Sequence, residues 1–190
     1  MDILLYKSTM SYLSTITDED VFSNPLFKKP EYFNPRVTVK AIVKNKEGEI
    51  ALVTNDVHGI YSLPGGGAES KKLEKEIKRE CAEEIGCLIE LVGRVGQTHE
   101  FRNREAKEYT TTCFVAEAKS KLEKDTRTPD EQDNGLRAEW IEMGAAISIF
   151  SKQKEAVRND DVKFYNTAFN ILRDGLFIET YLAERKHGCR

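Results

Sequence analysis

One stretch constrains this chain more than any other: Pro64-Gly65-Gly66-Gly67, followed after a short connection by Lys72 to Ile85, a helical segment crowded with glutamate. At about 100° per residue, with Glu80 taken as zero, Glu84 lies at about +40°, Glu76 at about −40° and Glu83 at about −60°. Four carboxylates therefore share an arc of roughly 100°. Ile77, Cys81, Ala82 and Ile85 fall beside that arc and form the face to be buried. Glu76, Glu80 and Glu84 stand at successive i,i+4 positions, where each like-charged pair costs about 0.2–0.5 kcal/mol. A helix shaped only for solubility would set a lysine among them, yet Lys72, Lys75 and Lys78 sit on other faces. Arg79 can orient Glu83 four residues on, but one arginine does not neutralise four carboxylates. A hard divalent cation with oxygen ligands makes the cluster favourable. The three glycines end a strand tightly and let backbone approach a ligand closely.

The rest of the chain supplies strands on both sides of this helix. Arg36 to Lys44 alternates apolar and polar residues, Asn45 to Gly48 reads as a turn, and Glu49 to Thr54 returns as the second strand of a hairpin. Ile60 to Leu63 runs into the glycines, and Gly86 stops the helix. Leu88 to His99, Glu108 to Ala118 and Ala138 to Met143 read as further strands, with a polar loop over 119–136. Ala145 to Val157 and Val162 to Leu182 are helical, the latter carrying an apolar stripe of Phe169, Ile171, Leu172, Leu176, Phe177 and Leu182. Strands before, beside and after one central helix indicate a mixed α/β sandwich, not a doubly wound parallel sheet. Residues 1–35 read as an N-terminal arm, 36–158 as the main domain, and 159–190 as a C-terminal helix packing on that domain or at a homodimer interface.

Composition excludes several classes. A net charge of −3 gives no global basic field for nucleic acid. No apolar run approaches the roughly 18 residues that span a bilayer. The first residues lack the basic start and apolar core of a secretory signal. Cys81, Cys87, Cys113 and Cys189 show no zinc spacing, so the expected setting is a reducing cytoplasm.

Gly65 to Cys87 resembles the Nudix box, whose tail reads Arg-Glu-apolar-x-Glu-Glu-x-Gly-apolar. Arg79, Glu80, Cys81, Glu83, Glu84, Gly86 and Cys87 match it, with cysteine in both apolar slots. Tyr61 to Gly67 resembles the strand end that leads into the box. One departure stands out: the family's usual glutamate eight positions before the arginine is Lys71 here, with Glu69 displaced from that role. The resemblance implies a Nudix-type α/β/α sandwich with a central loop-helix-loop motif. It also implies Mg²⁺-dependent hydrolysis, with Mn²⁺ as the alternative ion, of a phosphoanhydride bond in a small nucleotide. That substrate is either a nucleoside triphosphate or a nucleoside diphosphate linked to another group, such as ADP-ribose.

Glu80 and Glu84 are the expected metal ligands, and Glu83, held by Arg79, is either a ligand or the group that orients the attacking water. Glu131, in the loop before Trp140, is either the general base or a solvated loop acid. Gly65, Gly66 and Gly67 are expected to meet substrate through their backbone. Arg102 and Arg104 either contact phosphates or form a solvated hairpin tip. Phe101 or Tyr61 stacks on a base or belongs to the core, while His58 and His99 have no ligand-spaced partner. The rival reading is a regulatory domain that binds a nucleotide or ADP-ribose without turnover, and Lys71 is its best support.

Overall fold

The computed structural model describes residues 11–122 and 135–188. Its elements are strands β1 (Tyr12–Ile16), β2 (Asn34–Lys44), β3 (Ile50–Thr54), β4 (Tyr61–Ser62), β5 (Cys87–Arg102), β6 (Lys107–Lys121) and β7 (Arg137–Ile141). The helices are α1 (Asp18–Val21), α2 (Leu73–Ile85), α3 (Met143–Arg158) and α4 (Tyr165–Gly188). The strands form one mixed sheet in the order β1-β5-β6-β2-β3-β4, with β7 paired to β3.

Alternation along β2 decides which layer each residue joins. Val39, Ala41 and Val43 pack with Ile77, Cys81 and Ile85 of α2, together with Phe114 and Ala116 of β6. Ile42, one step out of phase, faces the other way and packs with Phe150 of α3 and Phe177, Ile178 and Tyr181 of α4. The sheet is thus covered on both faces, which is the expected α/β/α sandwich. Trp140 is partly buried against the α2 layer. The apolar stripe of the last helix is core: Phe169 and Phe177 are fully buried.

Three features go beyond the local sequence pattern. The segment read as an arm contributes β1, an edge strand running parallel to β5 with Thr15 opposite His99. The β2–β3 hairpin pairs only at its base, through Lys44 and Ile50. Beyond that point β3 leaves β2 and pairs with β7 and β4. The vacated edge of β2 is taken by the glycine loop: Val39 N donates to Gly66 O and Ala41 N to Pro64 O, each at 3.0 Å. Gly65 has φ +127°, and a Cβ there would lie 2.2 Å from Val39 O. Only glycine allows this close apposition of loop and strand.

Candidate active site

Helix α2 begins within a residue of its expected start and ends on Gly86, which has φ 63° and supplies the left-handed stop. Its apolar face turns the bordering glutamates partly inward, so Glu76 and Glu80 are buried. Arg79 stands between them. Its Nη1 meets Glu83 Oε2 at 2.6 Å, its Nη2 meets Glu80 Oε1 at 2.5 Å, and the guanidinium reaches Glu76 Oε2 at 3.3 Å. Nη2 also donates to Gly67 O at 3.3 Å. One arginine therefore engages three of the four carboxylates, more than its i,i+4 spacing to Glu83 suggested, because i−3, i+1 and i+4 all come within reach of one planar fork.

The fourth carboxylate, Glu84, accepts from Gly65 N. Glu76 ties the connecting loop, accepting from Ser70 Oγ at 2.6 Å and Glu69 N at 3.3 Å. Glu80 lies directly under the loop: a Cβ on Gly66 would come within 2.6 Å of its Oε2. The glycines thus seat carboxylates against backbone, which explains why three occur in a row.

Electrostatics follow from this packing. Loss of water pushes the Glu80 carboxyl above its ordinary value, against the pull of Arg79 and Lys40. The Ser70 hydroxyl holds Glu76 below the usual carboxylate range, with help from the Glu69 amide and Arg79. Desolvation pulls the Arg79 guanidinium down, but its ion pairs with Glu80 and Glu83 outweigh that and raise it.

A cleft of about 910 Å³ opens beside this cluster, lined by Arg36, Val37, Gly67, Lys71, Glu80 and Gln97, among others. Arg36 and Lys71 bring positive charge to it. Arg36 Nη2 would lie 2.6 Å from a Cβ on Gly67, so its guanidinium rests on the loop. Nothing in the sequence marked Arg36, Gln97 or Lys40. Lys40 is buried, and its ammonium donates to Leu63 O at 2.8 Å and to Gly65 O. A lysine in an alternating strand reads as solvent-facing, and only the loop folded along β2 reveals its role.

Arg102 and Arg104 are not brought to the cleft. Arg102 is buried on the α4 side, where it pairs with Glu100, donates to Asn170 Oδ1 at 2.8 Å and stacks 4.2 Å from the Tyr109 ring. Arg104 lies against the Phe27 and Tyr165 rings. Phe101 packs edge-on to Phe33, Tyr61 donates to Glu139 at 2.8 Å, and His99 meets Glu108 at 3.3 Å. Glu131 lies outside the described residues.

Among the described residues no three metal-type side chains are gathered into a ready cage. The oxygens of Glu76, Glu80 and Glu83 are drawn to Arg79, and Glu84 to a loop amide. The donor set nevertheless suits a hard divalent cation: carboxylates and glycine carbonyls, with Cys81 turned into the core.

A family model described as NUDIX domain matches residues 34–166. Among solved structures, a NUDIX hydrolase from Nitrosomonas europaea superposes with a TM-score of 0.52 at 18% identity, covering 69% of this chain and 93% of that one. A MutT protein from Methanosarcina mazei Go1 gives a TM-score of 0.48 at 19% identity, covering 71% and 100% of the two chains. At 18% identity the likeness to the Nitrosomonas europaea structure is one of fold. No curated protein matches the chain in sequence.

Proposed function

The chain belongs to the Nudix family and is a pyrophosphohydrolase, and on that premise we propose that it uses Mg²⁺ to cleave a phosphoanhydride bond in a nucleoside triphosphate or a nucleoside diphosphate linked to a second group. The observation that carries this reading is the convergence of Glu76, Glu80 and Glu83 on Arg79 beneath the Gly65–Gly67 loop, at the edge of the large cleft.

Glu80, Glu83 and Glu84 are the residues that would hold the metal. Once bound, the cation supplies Lewis acidity toward phosphate oxygens and lowers the pKa of water. The remaining work falls to the chain itself. Arg79 fixes the direction of Glu83, so that its carboxylate is pre-oriented for ligation or for steering the attacking water. Lys40 and the β2 amide of Val39 hold the carbonyls of the glycine loop, leaving its backbone able to approach a diphosphate closely. Arg36 and Lys71 give the cleft the positive charge that an overall acidic chain needs to attract an anion. These two, and not Arg102 or Arg104, stand where a phosphate in the cleft would meet positive charge.

The base is Glu83 or Glu131, and the pH–rate profiles of the two glutamine variants distinguish them. Lys71 at the usual glutamate position fits an active site here, because Glu76, Ser70 and the Glu69 amide already hold the loop.

Assay of a nucleotide panel with Mg²⁺ in ¹⁸O-water, with products read by phosphorus NMR, tests the proposal. At least one member is expected to be hydrolysed with the label in a phosphate product. Glu83→Gln is expected to lose about 10²–10⁴-fold in kcat. A nucleotide or ADP-ribose that raises the melting temperature while no panel member turns over would establish the regulatory reading instead.

A further inference from the structure

At Leu63 the chain leaves the sheet with its backbone polar groups still to be satisfied. Strand β4 pairs with β3 only through Tyr61 and Ser62, so the ladder stops one residue short. Leu63 is fully buried, and a buried backbone group without a partner is costly. Two side chains take the place of the ladder. Asp174 Oδ2 of α4 accepts from Leu63 N at 2.9 Å, and the Lys40 ammonium donates to Leu63 O at 2.8 Å. The Leu63 side chain packs in one cluster with Phe177 and Ile178, three and four residues beyond Asp174 on the same face of α4. The last helix thus grips one residue by its amide and its side chain, immediately before Pro64 and the glycine loop.

Asp174 is itself held from behind. Its Oδ1 accepts from Arg173 Nε at 2.8 Å, and Arg173 Nη1 reaches Glu100 Oε1 at 3.3 Å. Arg102 Nε donates to the other Glu100 oxygen at 3.0 Å. All four of these side chains are buried. Both groups that face Asp174 can only donate, so the position needs an acceptor on each oxygen, which a carboxylate offers and an asparagine amide does not. A second branch runs from the same cluster to the far end of the loop. Thr111 Oγ1 donates to Glu100 Oε1 at 3.3 Å, which uses its one hydrogen, so Thr38 donates to Thr111 at 2.6 Å. Thr38 in turn is bridged to Gly67. Between these two ends every loop glycine touches the carboxylate cluster: Gly65 N meets Glu84, Gly66 covers Glu80, and Gly67 O meets Arg79.

We propose that Asp174, braced by Arg173 and Glu100, is a positioning residue of the hydrolytic site: it fixes Leu63, and through Leu63 the glycine loop on which Glu80, Glu84 and Arg79 are seated. This rests on the hydrolase reading and adds that α4, which lends no residue to the cleft, controls the alignment of the carboxylates. Buried charges gain little stability over apolar packing of the same volume. What they add here is direction, because hydrogen bonds fix a backbone position that apolar contacts leave free to slide. A displacement of about 1 Å at reacting groups is enough to cost on the order of a hundredfold in rate.

Steady-state kinetics, melting curves and amide NMR on the full-length protein test this with Asp174→Asn, which keeps the size and one acceptor, beside Val157→Ala as a control. Val157 is buried in an apolar cluster with Tyr165, Phe169 and Ile171 that contains no residue of the glycine loop, so its variant reads destabilisation alone. Asp174→Asn is expected to lower kcat at least about tenfold while KM changes less than about threefold. The Leu63, Gly65 and Gly67 amide resonances are expected to move with it. Val157→Ala is expected to melt earlier, with kcat within about twofold of the unaltered protein and those resonances unmoved. If Asp174→Asn does not fold, Arg173→Lys, which keeps the charge and loses the Nε contact, is read in the same way, with kcat falling at least about threefold. The assignment is overturned by an unchanged kcat in the folded variant, by an equal fall in Val157→Ala, or by glycine resonances indifferent to the substitution. Those results with hydrolysis intact in the unaltered protein remove the positioning role and leave the hydrolase. Absence of turnover in the unaltered protein strikes the hydrolase reading instead, and the Leu63 and glycine resonances then decide whether Asp174 holds the loop.

Discussion

Arg79 does the work of several residues because its fork meets Glu76, Glu80, Glu83 and the Gly67 carbonyl at once. A lysine keeps the charge but loses the planar set of donors. Arg79→Lys is therefore expected to fold normally and to lower kcat about a hundredfold, through misdirected carboxylates; steady-state kinetics beside a melting curve check this. Gly65 is the second position where one atom matters. Gly65→Ala adds strain at φ +127° and a contact with Val39 O, at a cost of at least about 2 kcal/mol, read as a lower denaturation midpoint. Both residues were legible in the sequence because their meaning is local: a glycine run, and an arginine at fixed helical offsets from glutamates. Lys40 and Arg36 were not, since what they touch is set by a loop folding back along β2 from more than twenty residues away.

Elements were legible where periodicity is continuous and blurred where tertiary pairing takes over. The limits of α2 follow from its amphipathic spacing and from Gly86. Strand β5 runs on to Arg102, past its expected end at His99, because pairing with β6 carries it through three register shifts into the turn. Strand β1 had no periodic signal, since its burial does not alternate and only Ile16 at its end is buried. Helix α4 reads as an apolar stripe, yet its polar residues tie it to the strand end that leads into the glycine loop. Asp174, fully buried, accepts from Leu63 N at 2.9 Å and from Arg173 at 2.8 Å, and Arg173 also reaches Glu100. Removing one member leaves buried charge without its partner. Asp174→Ala is expected to cost about 3–5 kcal/mol in a denaturant titration.

For the whole molecule, two apolar layers clamp one sheet, α2 on one side and α3 with α4 on the other. Among the described residues no helix is long and apolar enough to cross a membrane. Phe177, at the centre of the second layer, is fully buried, so Phe177→Ala is expected to cost about 3–5 kcal/mol and to lower the melting temperature by roughly 10 °C. The layering was foreseeable from strands flanking a single acidic helix, whereas the strand order depends on long-range pairing that no local pattern encodes. The most direct measurement of the central claim is the initial rate of nucleotide hydrolysis across a Mg²⁺ titration, for the native chain and for Glu80→Gln. The account predicts a rate that saturates with Mg²⁺, vanishes in chelator and falls at least about a hundredfold in the variant. A rate indifferent to Mg²⁺, or equal in the two proteins, would contradict it.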